Sequence, residues 1–198
     1  MRTGLLVTAA LVGLASLTLA NSASADGDVR DCSYVPRGGT DPVAVPACAT
    51  ISEEGRLHLR PGRLADMQFD EHGLAAVLVG PFAFYVARDG RSAGVAQVDQ
   101  RAVAFHDGLA PSPQWRGEGY KIGYVDQRLR LVIPARYDGG LAFENGRAQV
   151  CNGCTVRRDG EMADLVGGTW GCIDTHGHEV VPVNRPTPDE AECWREGG

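Results

Sequence analysis

The sequence predicts an all-β fold: tandem antiparallel β-hairpin repeats that share one core, with a short C-terminal helix. Three observations predict it. The stretches FDEHGLAAV (Phe69 to Val77), FHDGLAP (Phe105 to Pro111) and FENGRAQV (Phe143 to Val150) each run Phe, two or three polar residues, Gly, any residue, Ala. A second set of lines, ISEEGRLHLRP, VARDGRSAGV, VDQRLRLVIP and IDTHGHEVVP, carries turn positions at Gly55, Gly90, Leu129 and Gly177. From each of the first three turns to the glycine of the following Phe line the interval is 18, 18 and 17 residues, a regularity that marks internal repeats. Third, strand alternation is plain in RLHLRP, RLRLVIP and HEVVP, whereas helical periodicity is nearly absent before the tail.

Taken in order, residues 1–25 read as a secretory signal peptide: one basic residue (Arg2), an apolar run from Gly4 to Ala20, and small residues at Ala23 and Ala25. The run is short for a membrane span and holds Thr8, Ser16 and Thr18, so no span is expected after signal cleavage. A periplasmic or secreted location follows. Residues 26–47 form an N-terminal segment that a disulfide would tether. Residues 48–185 hold the repeats, whose EG, DG, HG and NG pairs suit tight turns with positive φ. Pro61, Pro134 and Pro182 are expected to end strands, because proline cannot donate to a ladder. Turn to turn the repeats advance by 35, 39 and 48 residues, so the last interval holds an insertion containing CNGC and VRRDGE. A lone hairpin is marginal in water, hence the units must lean on one another. In the tail 186–198, Thr187 with Glu190 forms a capping box and Pro188 takes the first helical position, predicting a short helix that runs to Gly197.

The pattern Trp-Gly, apolar residue, Ile, Asp, Gly, then Ile-Pro, Tyr-Asp, Phe and Gly-x-Ala resembles the WG-repeat family of bacterial β-hairpin proteins. Trp170, Gly171, Ile173, Asp174, Gly177 and Pro182 carry the first half, and Ile133, Pro134, Tyr137, Asp138, Phe143, Gly146 and Ala148 the second. The resemblance spans residues 48–183. It implies repeated hairpins and, usually, no known catalytic role; it does not imply a ligand.

Charge limits the partners. Without Arg2 the chain keeps 18 basic against 25 acidic residues, and Lys121 is its only lysine. Nucleic acid and anionic membranes need clustered cations and are not expected partners. All six cysteines lie beyond Ala25, and an even count in an exported chain points to disulfides. The predicted pairing joins sequence neighbours, Cys32 with Cys48, Cys151 with Cys154, and Cys172 with Cys193. A competing arrangement joins Cys151 or Cys154 to Cys172.

Several motifs invite chemistry. Cys151, Cys154, Cys172, His176 and His178 have ligand spacing that resembles a zinc ribbon. Yet Cys172 stands at a repeat position and the two histidines flank a hairpin glycine, so cystine rather than a metal is expected, and no cofactor. CNGC also matches a thiol-disulfide exchange motif, but no helix follows to lower a thiol pKa. GRSAG fits a nucleophile elbow around Ser92, without the strand-to-helix context that lifts such a serine. The acid pairs Asp70-Glu71 and Asp189-Glu190 read as turn and helix-start residues rather than paired glycosidase acids. Most aromatic residues recur with the repeat and belong to the core. Trp115 stands apart in APSPQWRGEGYK, a Pro-, Gly- and Ser-containing loop, and is the predicted surface-binding residue. The expected function is therefore an exported, non-catalytic repeat protein that binds another protein or a cell-envelope component. The alternative is an exported oxidoreductase at CNGC or a hydrolase using Ser92.

Overall fold

The computed structural model describes residues 28–116, 119–159 and 162–194. The signal-peptide segment 1–25 and the last four tail residues lie outside the described residues. The first sheet holds six strands: β1 (Arg30–Tyr34), β2 (Val43–Ile51), β3 (Leu57–Leu59), β4 (Leu74–Val79), β5 (Phe82–Ala87) and β6 (Ser92–Val95), in the order β3-β2-β1-β4-β5-β6. A two-stranded ribbon, β7 (Gln97–Val98) with β8 (Arg101–Ala102), leads on to β9 (Leu109–Arg116), β10 (Gly119–Asp126) and β11 (Leu131–Tyr137), which form the sheet β11-β10-β9. The third sheet, β12-β13-β16-β17, joins β12 (Gly139–Gly140), β13 (Arg147–Asn152), β16 (Thr169–Asp174) and β17 (Glu179–Arg185). Between β13 and β16 the inserted segment makes a separate hairpin of β14 (Thr155–Asp159) and β15 (Met162–Val166).

Among the described residues every pairing is antiparallel, and their architecture is built on one unit used four times. The unit is a three-stranded meander: β1-β2-β3, β4-β5-β6, β9-β10-β11 and β13-β16-β17. The Phe-x-x-Gly half that follows one predicted hairpin turns out to open the next meander, since Gly73, Gly108 and Gly146 lead directly into β4, β9 and β13. Residues 26–47 accordingly do more than tether the N-terminus: β1 lies between β2 and β4 and fuses the first two meanders edge to edge. That sheet bends until its two edges meet, where Ser92 Oγ donates to Leu57 O at 3.4 Å.

One turn design serves all four units. The residue that opens the turn (Ser52, Ala87, Asp126 or Asp174) donates its N–H four residues on and accepts from the residue three on. That second donor is the predicted turn position, and Gly55, Gly90, Leu129 and Gly177 all have positive φ, from 58° to 86°. This is the three-residue hairpin loop whose last residue must be left-handed.

Pro134 and Pro182 do not end strands; they lie inside β11 and β17. Both strands are sheet edges, and the register slips on either side of them, between Ile122 and Tyr124 and between Trp170 and Cys172. A bulge at an edge asks no N–H of the proline. Facing the slips are Gly123 and Gly171. A Cβ on Gly123 would lie 2.5 Å from Ile133 O, and one on Gly171 would lie 2.6 Å from Val181 O. The segment holding Trp115 is likewise strand rather than loop. Pro111 and Pro113 are accommodated because β9 pairs along its length with β10 on one side only.

The core runs from unit to unit. Met67, Val77, Phe84 and Val86 fill the first sheet, Ala83, Val95, Ala110 and Val125 join it to the second, and Tyr124, Tyr137, Phe143 and Ile173 join the second to the third. Strand β16 is buried on both faces, Ile173 toward Tyr124 and Cys172 toward the tail. The tail begins as predicted, with Thr187 Oγ1 accepting Glu190 N–H at 3.3 Å and Pro188 at the helix start. The helix α1 (Pro188–Ala191) nevertheless ends well short of Gly197. Glu192 turns left-handed at φ 46°, and Cys193 is drawn inward to bond Cys172.

Candidate binding groove

Three of the four turn tips face a common hollow. Gly55 and Arg56 come from the first unit, Gly90 and Arg91 from the second, and Leu129 and Leu131 from the third, around a cavity of about 640 Å³. That volume lies in the range typical of ligand sites. Its walls come from the edge strands β3, β6, β9 and β11, with Val125 of the central strand β10, so the hollow opens where the first two sheets face one another. Two serine hydroxyls tie these strands together. Ser92 Oγ ties β6 to β3, and Ser112 Oγ donates to Gly94 O between β9 and β6.

Trp115 forms one wall. The ring is half-buried, with Phe82 and Tyr120 against it edge-on at centroid distances of 5.5 and 5.2 Å. A Cβ at Gly55 would overlap the indole. Glycine at that turn thus serves two needs at once, a left-handed φ of 77° and room for the indole. The polar residues that line the hollow with it are Glu54, Arg56, His58, Arg91, Ser92 and Gln114. Arg91 is fixed by Asp89 Oδ2 at 2.8 Å and by Arg128 O at 2.8 Å, while Arg56 makes no ion pair among the described residues. Sequence reasoning singled out Trp115 but missed the cations, although a signal existed: the residue after each turn position is Arg56, Arg91, Arg130 and His178 in turn.

The histidine segment of the fourth unit does something simpler. Asp174 Oδ1 accepts the main-chain N–H groups of His176 and His178, both at 2.9 Å, and Asp174 Oδ2 lies 3.2 Å from His178 Nδ1. Partial burial pushes the Asp174 carboxyl up, yet the hydrogen bonds from His178 and His176 outweigh it and hold the group below the usual carboxylate range. Both imidazoles are exposed, at 78% and 77%, and stack at 6.0 Å. Asp126 does the same work one unit earlier, accepting from Arg128 N and Arg130 N.

The sulfurs that would complete a metal site are bonded elsewhere. Cys151 joins Cys154, Cys172 joins Cys193, and Cys32 joins Cys48, with Cα separations of 5.9, 5.6 and 5.5 Å. No cluster of three or more His, Cys, Asp or Glu suited to an ion occurs among the described residues. The CNGC bridge is buried on β13 and the loop after it, pressed against Gly139, where a Cβ would come 2.7 Å from Cys151 Sγ. Strand β14, not a helix, follows it. Ser92 likewise sits in a strand that continues into β7, so GRSAG lacks the strand-to-helix turn of an elbow.

A family model for the WG containing repeat matches residues 122–153. The chain carries a WG repeat. No curated protein and no solved structure matches it. Within the matched WG repeat each signature residue has a structural use. Gly123 passes the Pro134 bulge, Tyr137 and Phe143 fill the core, and Gly146 makes the left-handed turn into β13. Asp138 accepts from Gly153 N at 2.8 Å and from Lys121 Nζ, which together hold its carboxyl below the usual range. The other three units share the WG repeat's turn geometry, and the fourth shares its Gly-against-Pro bulge as well.

Proposed function

We propose that this is an exported, non-catalytic repeat protein that binds another protein or a cell-envelope component in the groove beside Trp115. The observation that carries the reading is the convergence of three turn tips on one hollow with an indole in its wall. Aromatic and arginine side chains are the usual anchors of binding surfaces. Export is supported by the leader-like residues 1–25 and by three disulfides, which persist in oxidising compartments.

The test is capture from native envelope and secreted fractions with the wild-type chain and with Arg56→Glu and Trp115→Phe, each verified as folded by circular dichroism. A partner retained by the wild type and lost by both variants supports the groove. Equal retention by all three removes it. Thiol titration of the denatured protein addresses the enzymatic alternative: no free thiol and no reaction with a serine-directed probe are expected, whereas free Cys151 and Cys154 or rapid labelling of Ser92 would favour catalysis.

A further inference from the structure

A second hollow, of about 370 Å³, shares no lining residue with the groove. It is bounded by the 3-10 turn Arg63–Asp66 and by the ends of the first sheet, and its lining is Arg37, Gly62, Leu64, Ala65, Phe69 and Arg88. The composition is one-sided: two arginines, three apolar residues, a glycine and no acid. In a chain of net charge −6, acids are plentiful, yet neither Arg37 nor Arg88 forms an ion pair among the described residues. Arg63, on the same turn, does pair, lying 3.9 Å from Asp66.

Arg88 is held in place. Its guanidinium lies 4.4 Å from the centroid of the Phe69 ring, an arrangement that fixes the fork without using its donors. Arg37 is anchored through its main chain, whose N–H donates to Asp66 O at 2.7 Å. At Gly62, left-handed at φ 86°, no atom stands within 4 Å of the Cβ position, so the rim stays open there. Two like charges facing one hollow repel each other, and an anion between them would neutralise both while its apolar body met Leu64, Ala65 and Phe69.

We propose that this hollow binds a small carboxylate with an apolar tail, its oxygens taken by Arg37 and Arg88 and its tail by Leu64, Ala65 and Phe69. Arginine suits the role because its planar fork matches carboxylate geometry.

The experiment is isothermal titration of the full chain with hexanoate, its neutral methyl ester, and acetate, which has the charge without the tail. Saturable hexanoate binding is expected, with the ester and acetate weaker by about tenfold or more, as loss of a charge-assisted contact or of apolar burial requires. Arg37→Gln and Arg88→Gln, both at exposed positions, should each weaken hexanoate by about tenfold. Arg63→Gln, on the same turn but outside the lining, should leave it unchanged. Hexanoate bound no better than its ester, or bound equally by Arg88→Gln, overturns the proposal. So does an equal loss in Arg63→Gln, which would mean bulk charge rather than a site. A peptide ending in leucine, compared with its C-terminal amide, tells whether the carboxylate comes from a free acid or a chain terminus.

Discussion

Asp174 Oδ1 accepts the main-chain N–H of His178 at 2.9 Å, the bond that Asp126 makes with Arg130 one repeat earlier. Each carboxylate bridges its own turn, and in each the residue before the last donor has a positive φ. A sequence that looks like a metal motif is thereby accounted for as turn chemistry.

Asp126→Ala should cost about 1.5 to 3 kcal/mol in urea unfolding with an unchanged slope, the scale of hydrogen bonds to a charged acceptor. Partial burial raises the Asp126 carboxyl, but bonds from Arg130 outweigh it, and Asp138 and Asp174 are also held low. A depressed folded pKa means that the folded state binds fewer protons. The stability these acids supply is complete above the unfolded value near 4 and is lost as pH falls through the lower folded values. Midpoints measured downward from about pH 6 to pH 3 should fall in the wild type and fall less in Asp126→Ala. Parallel curves would mean that the turn carboxylate adds nothing.

Gly123→Ala should destabilise by about 1 to 3 kcal/mol, because the new methyl meets Ile133 O and Ala135 N, at 2.5 and 2.8 Å, rather than a movable side chain. Gly171→Ala should behave alike. A neutral result at either site, in chemical denaturation, would show that the bulge around Pro134 or Pro182 opens freely.

Leu129 is a leucine held at φ 58°, where a glycine stands in the other three units. Relief of left-handed strain, about 1 to 2 kcal/mol, exceeds the entropy that glycine gives up, about 0.5 to 1 kcal/mol. Leu129→Gly should therefore raise the urea midpoint slightly. A clear fall would mean that the side chain, which borders the groove, contributes packing greater than the strain.

Phe143 is 1% exposed and meets Tyr124 edge-on at 4.9 Å. Phe143→Ala should cost about 3 to 5 kcal/mol. A loss under about 1 kcal/mol would place the ring outside the core that joins the second and third sheets.

The repeat was legible in the sequence because left-handed turns restrict composition. Gly55, Gly73, Gly90, Gly108, Gly146 and Gly177 all prove left-handed, and even Leu129 could be found from spacing alone. Pro61 does follow the end of β3, but Pro134 and Pro182 were misread as stops because sequence does not say which strand is an edge. The same gap turned the Trp115 segment into a loop: two prolines argue against a central strand, and only the sheet order places β9 at an edge. The groove cations were marked in the sequence by their place after each turn, but their sharing one hollow was not. Arg56 and Arg91 stand 35 residues apart and line one cavity only because the first sheet bends back on itself.

By itself the sequence determined the local geometry, where the chain reverses, which residues alternate inward, and how often the unit recurs, since each depends on φ preference and side-chain polarity over a few residues. Tertiary structure decided that the unit is a meander rather than a hairpin, which strands are left as edges, and which turn tips share a hollow. Those outcomes depend on how separate units bury their apolar faces against each other, and that is set by contacts between residues far apart in the chain.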